Sequence, residues 1–266
     1  MAASLFVNAV QVNFESVLVM KHDGMAKMFK SLEDTGLKGF LEASDLVYEG
    51  AVIEFFVNAK VIAGTIVSSV ANRKMALSKD VFTEAFGLPT EGPTNLMDIP
   101  KETVVEMRSL FSGSDEPFRA PNKKKGMKME FHLLHDIVAK TLCAKAGSFD
   151  MVTSEKFDFM VAITTGLKVN WGHILFQVLL SMVNNSKRQS QGFAVQVSVL
   201  LEKLVKTDFG DSVKLHPQKV LINKSVQTYI KKNLEKPTGE TSKHTEDTAS
   251  NTDGDESQAA QLVEKE

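Results

Sequence analysis

Apolar residues in this chain recur mostly three and four positions apart, the spacing that places them on one face of an α-helix. From Met25 to Leu41 they fall at Met25, Met28, Phe29 and Leu32, then at Leu37, Phe40 and Leu41. The interruption at Thr35-Gly36 predicts two short helices joined at a glycine stop. Ser44 reads as the N-cap of a third helix, with Asp45 in its first turn and Val47, Val52, Phe55 and Phe56 leading toward Ala59. Between Val61 and Leu77 the residue types change. The β-branched Thr65, Ile66, Val67 and Val70, then Ala71-Asn72-Arg73-Lys74, then Met75-Ala76-Leu77, predict a small β-hairpin. Helical punctuation returns at Ser78, which caps the segment SKDVFTEAF. Gly87 ends that helix and Pro89 prevents its continuation.

Five of the seven prolines fall from Pro89 to Pro121, with Gly92, Gly113 and a Ser-Gly-Ser turn among them, so this stretch reads as a long connection holding one short helix from Lys101 to Phe111. A connection of that length marks a domain boundary or a functional loop. Beyond it Met129, Phe131, Leu133, Leu134, Ile137, Val138 and Leu142 form a wide stripe that predicts a helix over 128–145, ended by Gly147. Thr153 or Ser154 opens the next helix, which places Glu155 in its first turn and buries Phe157, Met160, Val161 and Ile163 before Gly166 stops it. Asn170 opens WGHILFQVLLSMV, apolar on most sides and so expected at the centre of the core. Phe193, Val195, Val197, Leu200, Leu201 and Leu204 predict one more core helix, whose β-branched residues leave a strand as the alternative. Ser225 to Leu234 reads as a short amphipathic closing helix.

The sum is a mainly α, multi-helix globular domain with one small β-hairpin and a disordered C-terminal tail. Residues 1–24 read as an N-terminal extension and 25–234 as the helical domain, with halves 25–100 and 128–234 joined by the Pro/Gly-rich connection. Charge distinguishes the remainder. From Asn233 onward nine acidic residues face three lysines, a net −6 that leaves +4 for residues 1–232. Between Leu234 and Leu262 there is no Val, Ile, Leu, Met, Phe, Trp or Tyr, so the segment cannot bury enough surface to offset its ordering entropy, and 235–266 reads as a disordered acidic tail.

Composition, 43% hydrophobic and 24% charged, is that of an ordinary globular protein. The single Cys143 excludes an intramolecular disulfide and a cysteine-based zinc cluster and favours a reducing, intracellular compartment, nucleus or cytoplasm. The apolar first twenty residues lack a preceding basic residue and are interrupted by Asn8, Gln11, Asn13 and Glu15. The run Ile174 to Val183 is about half a bilayer crossing, so no membrane association is expected.

Candidate chemistry is sparse. His132 and His135 stand three apart on one helix with Asp136 following, a spacing that suits a metal pair but lacks a third ligand; we read them as structural. His173 reads as a capping or packing residue. Cys143 stands near Lys140 and Lys145, which favours the thiolate, yet its apolar pattern reads as an inert buried thiol. Phosphate-loop, dinucleotide, zinc-protease and nucleophile-elbow motifs are absent, and no catalytic residue, metal or cofactor is expected. The concentrated positive segment is NKKKGMK with Arg119 before it. Arg119, Lys123, Lys124, Lys125 and Lys128 are candidate phosphate contacts or an import signal, against the reading as a solvated loop. The twelve methionines could form an adaptable binding surface, but most read as core filling.

From Val47 to Val205 the residues resemble a known family, the plant transposon protein domain of mobile-element-derived plant proteins. The resemblance rests on VYEGAVIEFFVNAKV, the Gly64 turn and MALSKDVFTEAFGLP in the first half. In the second it rests on FHLLHDIVAKTL, EKFDFMVAI, VNWGHILFQVLLSMV and GFAVQVSVLLEKL. It implies a mobile-element origin and a helical fold, and brings no catalytic residues with it. The function expected is non-enzymatic action through protein association or self-assembly. The alternative is a nucleic-acid-binding accessory protein using the 119–128 loop, and an enzyme with a dispersed site around His132 and His135 comes third.

Overall fold

Helices dominate the chain, as its periodicity predicts, and short strand pairs tie their ends together. The structure, a computed structural model, describes residues 10–42, 44, 46–96, 99–144, 149–185, 193–205, 207–214 and 219–234. The acidic tail read at 235–266 lies outside these residues, as do residues 1–9 of the N-terminal extension, Asp45, Lys145 and Gly147.

The described chain opens with β1 (Gln11–Val12) and α1 (Phe14–Leu18). Residues 10–24, read from the sequence as an extension, bury Val12, Phe14, Val17 and Met20 in the common core, because β1 pairs in parallel with β9 (Val220–Leu221). Next come α2 (Asp23–Asp34) and α3 (Lys38–Leu41), separated at Gly36, whose φ of 78° permits the reversal. The helix expected from Ser44 starts later. Leu46–Val47 is strand β2, paired antiparallel with β8 (Val213–Lys214), and α4 (Glu49–Asn58) follows it. A backbone committed to a strand ladder cannot also open a helix, and the Tyr48 N–H is taken by Ser198 Oγ at 3.0 Å.

The expected hairpin is a three-stranded antiparallel meander of β3 (Lys60–Ile62), β4 (Thr65–Val70) and β5 (Arg73–Leu77). Both turns, Ala63-Gly64 and Ala71-Asn72, hold positive φ at two successive residues, which matches the twist of tight hairpins. α5 (Lys79–Phe86) is punctuated as the sequence predicts: Ser78 accepts from the Val81 N–H, and Gly87 closes the helix in the left-handed region.

The Pro/Gly-rich connection holds α6 (Lys101–Phe111), strand β6 (Asn122–Lys123) and a 3₁₀ turn over Lys124–Gly126. α7 (Met129–Ile137) continues into a π-helical turn, Val138–Leu142, in which the Cys143 N–H reaches the Val138 carbonyl. β7 (Met151–Val152) pairs with β6, and α8 (Ser154–Thr164) is capped by Thr153. α9 (Trp171–Asn184) is capped by Asn170, α10 (Ala194–Leu204) is helical despite its valines, and α11 (Asn223–Leu234) closes the described chain.

One hydrophobic cluster runs through elements on both sides of the connection. At its centre the Phe40 ring meets Phe82, Phe86 and Phe193 edge-on at 5.1–6.1 Å, joining α3, α5 and the start of α10. A second aromatic group, Phe111, Phe118, Phe131 and Phe157, fastens α6 and the connection to α7 and α8. α5 and α9 cross closely at Gly172, where a Cβ would collide with Thr83 Cγ2.

Candidate functional site

The basic segment is held on an ordered frame. β6 pairs with β7 through Asn122↔Val152 and Lys123↔Met151, and the Lys124 N–H donates to the Asp150 carbonyl at 2.8 Å. Gly113 N–H to Gly126 and Lys128 N–H to Phe111, both 2.9 Å, bind the turn to the end of α6. Phe118 is buried against Phe157 beneath it. On this frame Arg119, Lys123, Lys125 and Lys128 are exposed, while Asp115 and Glu116 are exposed on the adjoining turn.

Lys124 is different from the other four. Its ammonium turns inward to Asp136 Oδ1 at 2.6 Å, with the two side chains only 19% and 12% exposed. Asp136 also accepts from the Tyr229 hydroxyl at 3.4 Å, so one carboxylate joins the basic turn, α7 and α11. His135 is wholly buried. Its Nδ1 stands 3.7 Å from Asp136 Oδ1, an electrostatic contact beyond hydrogen-bond range, and its Nε2 lies 3.2 Å from the Met151 carbonyl. A carbonyl only accepts, so Nε2 carries the proton in that bond. The same carbonyl accepts from buried Lys156 Nζ at 3.2 Å.

Electrostatics follow from this packing. Burial acts to raise the Asp136 carboxyl. The adjacent His135 and the ammonium groups of Lys124 and Lys140 outweigh it, so the group titrates below its ordinary value. Burial lowers His132, reinforced by the charge of Lys124, and its Nε2 has no hydrogen-bond partner. Burial, then the neighbouring Asp136 charge, raises the Tyr229 hydroxyl. Burial, then Lys140, lowers Lys219.

His132 and His135 are thus brought to one node with Asp136, but His135 is spent on a backbone carbonyl. No group of three or more His, Cys, Asp or Glu side chains suited to a metal occurs among the described residues. Cys143 is buried, and Lys140 lies over the Phe149 ring at 5.2 Å. His173 gives its backbone N–H to the Asn170 cap. Met20, Met25, Met28 and Met127 fill the core. Sequence reasoning missed Lys156 and Tyr229, which sit at ordinary positions of helical stripes and are joined to the node by folding alone.

Elsewhere a groove of about 590 Å³ between the connection and α8–α9 is lined by Leu96, Glu155, Asp158, Phe159, Ile174 and Val178. Burial raises the Asp158 carboxyl there against the opposing charge of Arg108. No helix among the described residues is long and apolar enough to cross a membrane.

Fold and node together define a mainly α module in which Lys124, Asp136 and Tyr229 meet at one partly buried polar node behind the basic turn. No protein-family model matches the chain, and comparison with curated proteins and with solved structures gives no match.

Proposed function

We propose that this protein is a non-catalytic, mobile-element-derived helical module that works by self-association through the outer face of α4. The observation that carries this reading is an uncharged stripe on that helix. Gly50, Ile53 and Val57 follow one another at i, i+3 and i+7, the seam spacing of paired helices, and Val57 is 74% and Ile53 45% exposed. The opposite face buries Val52, Phe55 and Phe56 against the sheet. Glu54 is drawn aside, where its carboxylate accepts from the Ala71 N–H at 3.0 Å. No side chain or backbone lies within 4 Å of where a Cβ on Gly50 would stand, so a second helix can approach closely there. Ile62, on β3, is a further exposed apolar residue, at 59%. The mobile-element origin rests on the resemblance over Val47 to Val205.

The test is light scattering across a concentration series of the full chain. A defined oligomer that becomes monomeric in Val57→Glu and Ile53→Glu is expected, since each isoleucine or valine fully buried contributes about 1.5–3 kcal/mol. A native chain that stays monomeric into the high micromolar range refutes self-association.

A second reading has its own observation: Arg119, Lys123, Lys125 and Lys128 are exposed on a hydrogen-bonded frame and can contact a phosphate backbone without ordering a loop first. Four phosphate contacts give a log–log salt slope of about −3.6 on duplex DNA. Absence of binding at low salt excludes it.

A further inference from the structure

We infer that the basic turn is the docking surface for this chain's own acidic segment, residues 246–256. The inference rests on the exposed cations and the path of the chain, and is independent of the α4 reading.

Charge supplies the first argument. Glu246, Asp247, Asp253, Asp255 and Glu256 place five carboxylates in eleven residues, and no Lys or Arg occurs from 244 to 264. The turn offers Lys123, Lys125, Lys128 and Arg119 to solvent, while Lys124 is already neutralised by Asp136. Exposed Asp115 and Glu116 on one flank, and exposed Asp150, whose carbonyl takes the Lys124 N–H, offset part of this charge against the four exposed cations.

Chain path supplies the second. The carboxylate that grips Lys124 also receives the Tyr229 hydroxyl, so α11 is anchored at the back of the basic turn. Buried Val226 and the Asn223 N–H bond to Ser16 Oγ at 3.0 Å fix the start of that helix. Leu234 lies five residues past Tyr229, about 7 Å along the axis. The acidic segment therefore follows directly in sequence from a helix anchored at its target. The twelve residues from Leu234 to Glu246 span at most about 40 Å, and a covalent link of that length sets an effective concentration in the millimolar range. At that concentration weak, individually screened charge pairs suffice to populate the docked arrangement. Because the turn is already ordered, docking carries no ordering cost on its side.

The experiment is zero-length carbodiimide crosslinking of the full chain, with peptides identified by mass spectrometry, on an equal mixture of unlabelled and nitrogen-15 protein. Expected are links from 246–256 to Lys123, Lys125 and Lys128 within single copies, reduced several-fold between about 0.05 M and about 0.5 M salt as the Debye length shrinks. They should disappear when Lys123, Lys125 and Lys128 are all replaced by Gln, with the thermal midpoint unchanged. If replacing the three lysines disturbs folding, replacing Asp253 and Asp255 by Asn and Glu256 by Gln removes the same contacts from the other side. Links confined to Lys231 and Lys232, links spread over Lys60 and Lys74 in the same yield, or links between isotopically different copies would each overturn the proposal. Because no nucleic acid is present, the result stands whether or not the turn binds a polyanion. If it does bind one, the tail-neutralised full chain should bind it several-fold more tightly than the native chain.

Discussion

Replacing Asp136 by Asn tests whether one buried carboxylate holds the basic turn to the body of the protein. In the native chain this group balances Lys124 at 2.6 Å and accepts from Tyr229, with little exposure of either member of the pair. Removing one partner of a buried pair costs about 3–5 kcal/mol when the other charge stays trapped. Lys124 sits on a surface turn and can swing toward water, which brings the cost below that range, to about 2–3 kcal/mol. For a chain of this size that lowers Tm by roughly 5–10 °C. Lys124→Met should cost about 2 kcal/mol, and the double variant no more than either single one, because the pair is then absent altogether and only shape remains. Urea unfolding of the four proteins gives the coupling directly, expected at about 2 kcal/mol. The pH dependence has a definite sign. Asp136 titrates lower when folded than its ordinary value of 3.8, so its contribution is complete above that value and is lost as pH falls through the folded one. The deficit of Asp136→Asn should therefore be full at pH 7 and shrink below about pH 4. A coupling under about 0.5 kcal/mol, the limit for independent sites, or a deficit identical at pH 3 and pH 7, would refute the reasoning.

Two further outcomes are expected. Gly172→Ala drives a methyl into Thr83 Cγ2 and should destabilise by about 1–3 kcal/mol, while adding Thr83→Ser removes that methyl but keeps the hydroxyl bond to Asp80 and should recover much of the loss in urea midpoints. His132 titrates below 6.5 when folded, so the unfolded chain binds its proton first and stability should fall as pH drops below that value; His132→Gln should flatten this slope in a pH series of thermal midpoints.

Local signals and non-local pairings divide what could be read in advance. Ser78, Gly87, Thr153 and Asn170 mark helix ends by chemistry that acts over three or four residues, and each is found where its side chain or φ angle requires. The start of α4 was not legible at Ser44 because Leu46–Val47 is claimed by Val213–Lys214, over 160 residues away, and no periodicity carries that information. Lys60–Ile62 was missed as a strand because three residues are too few to show alternation. At the candidate site the five cations were legible as a cluster. That Lys124 belongs to the interior and the other four to the surface depends on Asp136 and Tyr229, which fold in from α7 and α11.

The parallel pairing of Gln11–Val12 with Val220–Leu221 also sets a schedule for the nascent chain. A ribosome delivering about 5–20 residues per second separates the two strands by about 10–40 s. Throughout that interval Val12, Phe14 and Val17 have been translated but part of the surface that covers them has not, since α1 packs beside α11 in the finished protein. The aromatic centre around Phe40 and Phe82 likewise waits for Phe176 and Phe193. Vectorial folding from the N-terminus cannot complete either region, and a truncated translation product would present sticky apolar segments to chaperones and proteases in place of a finished surface.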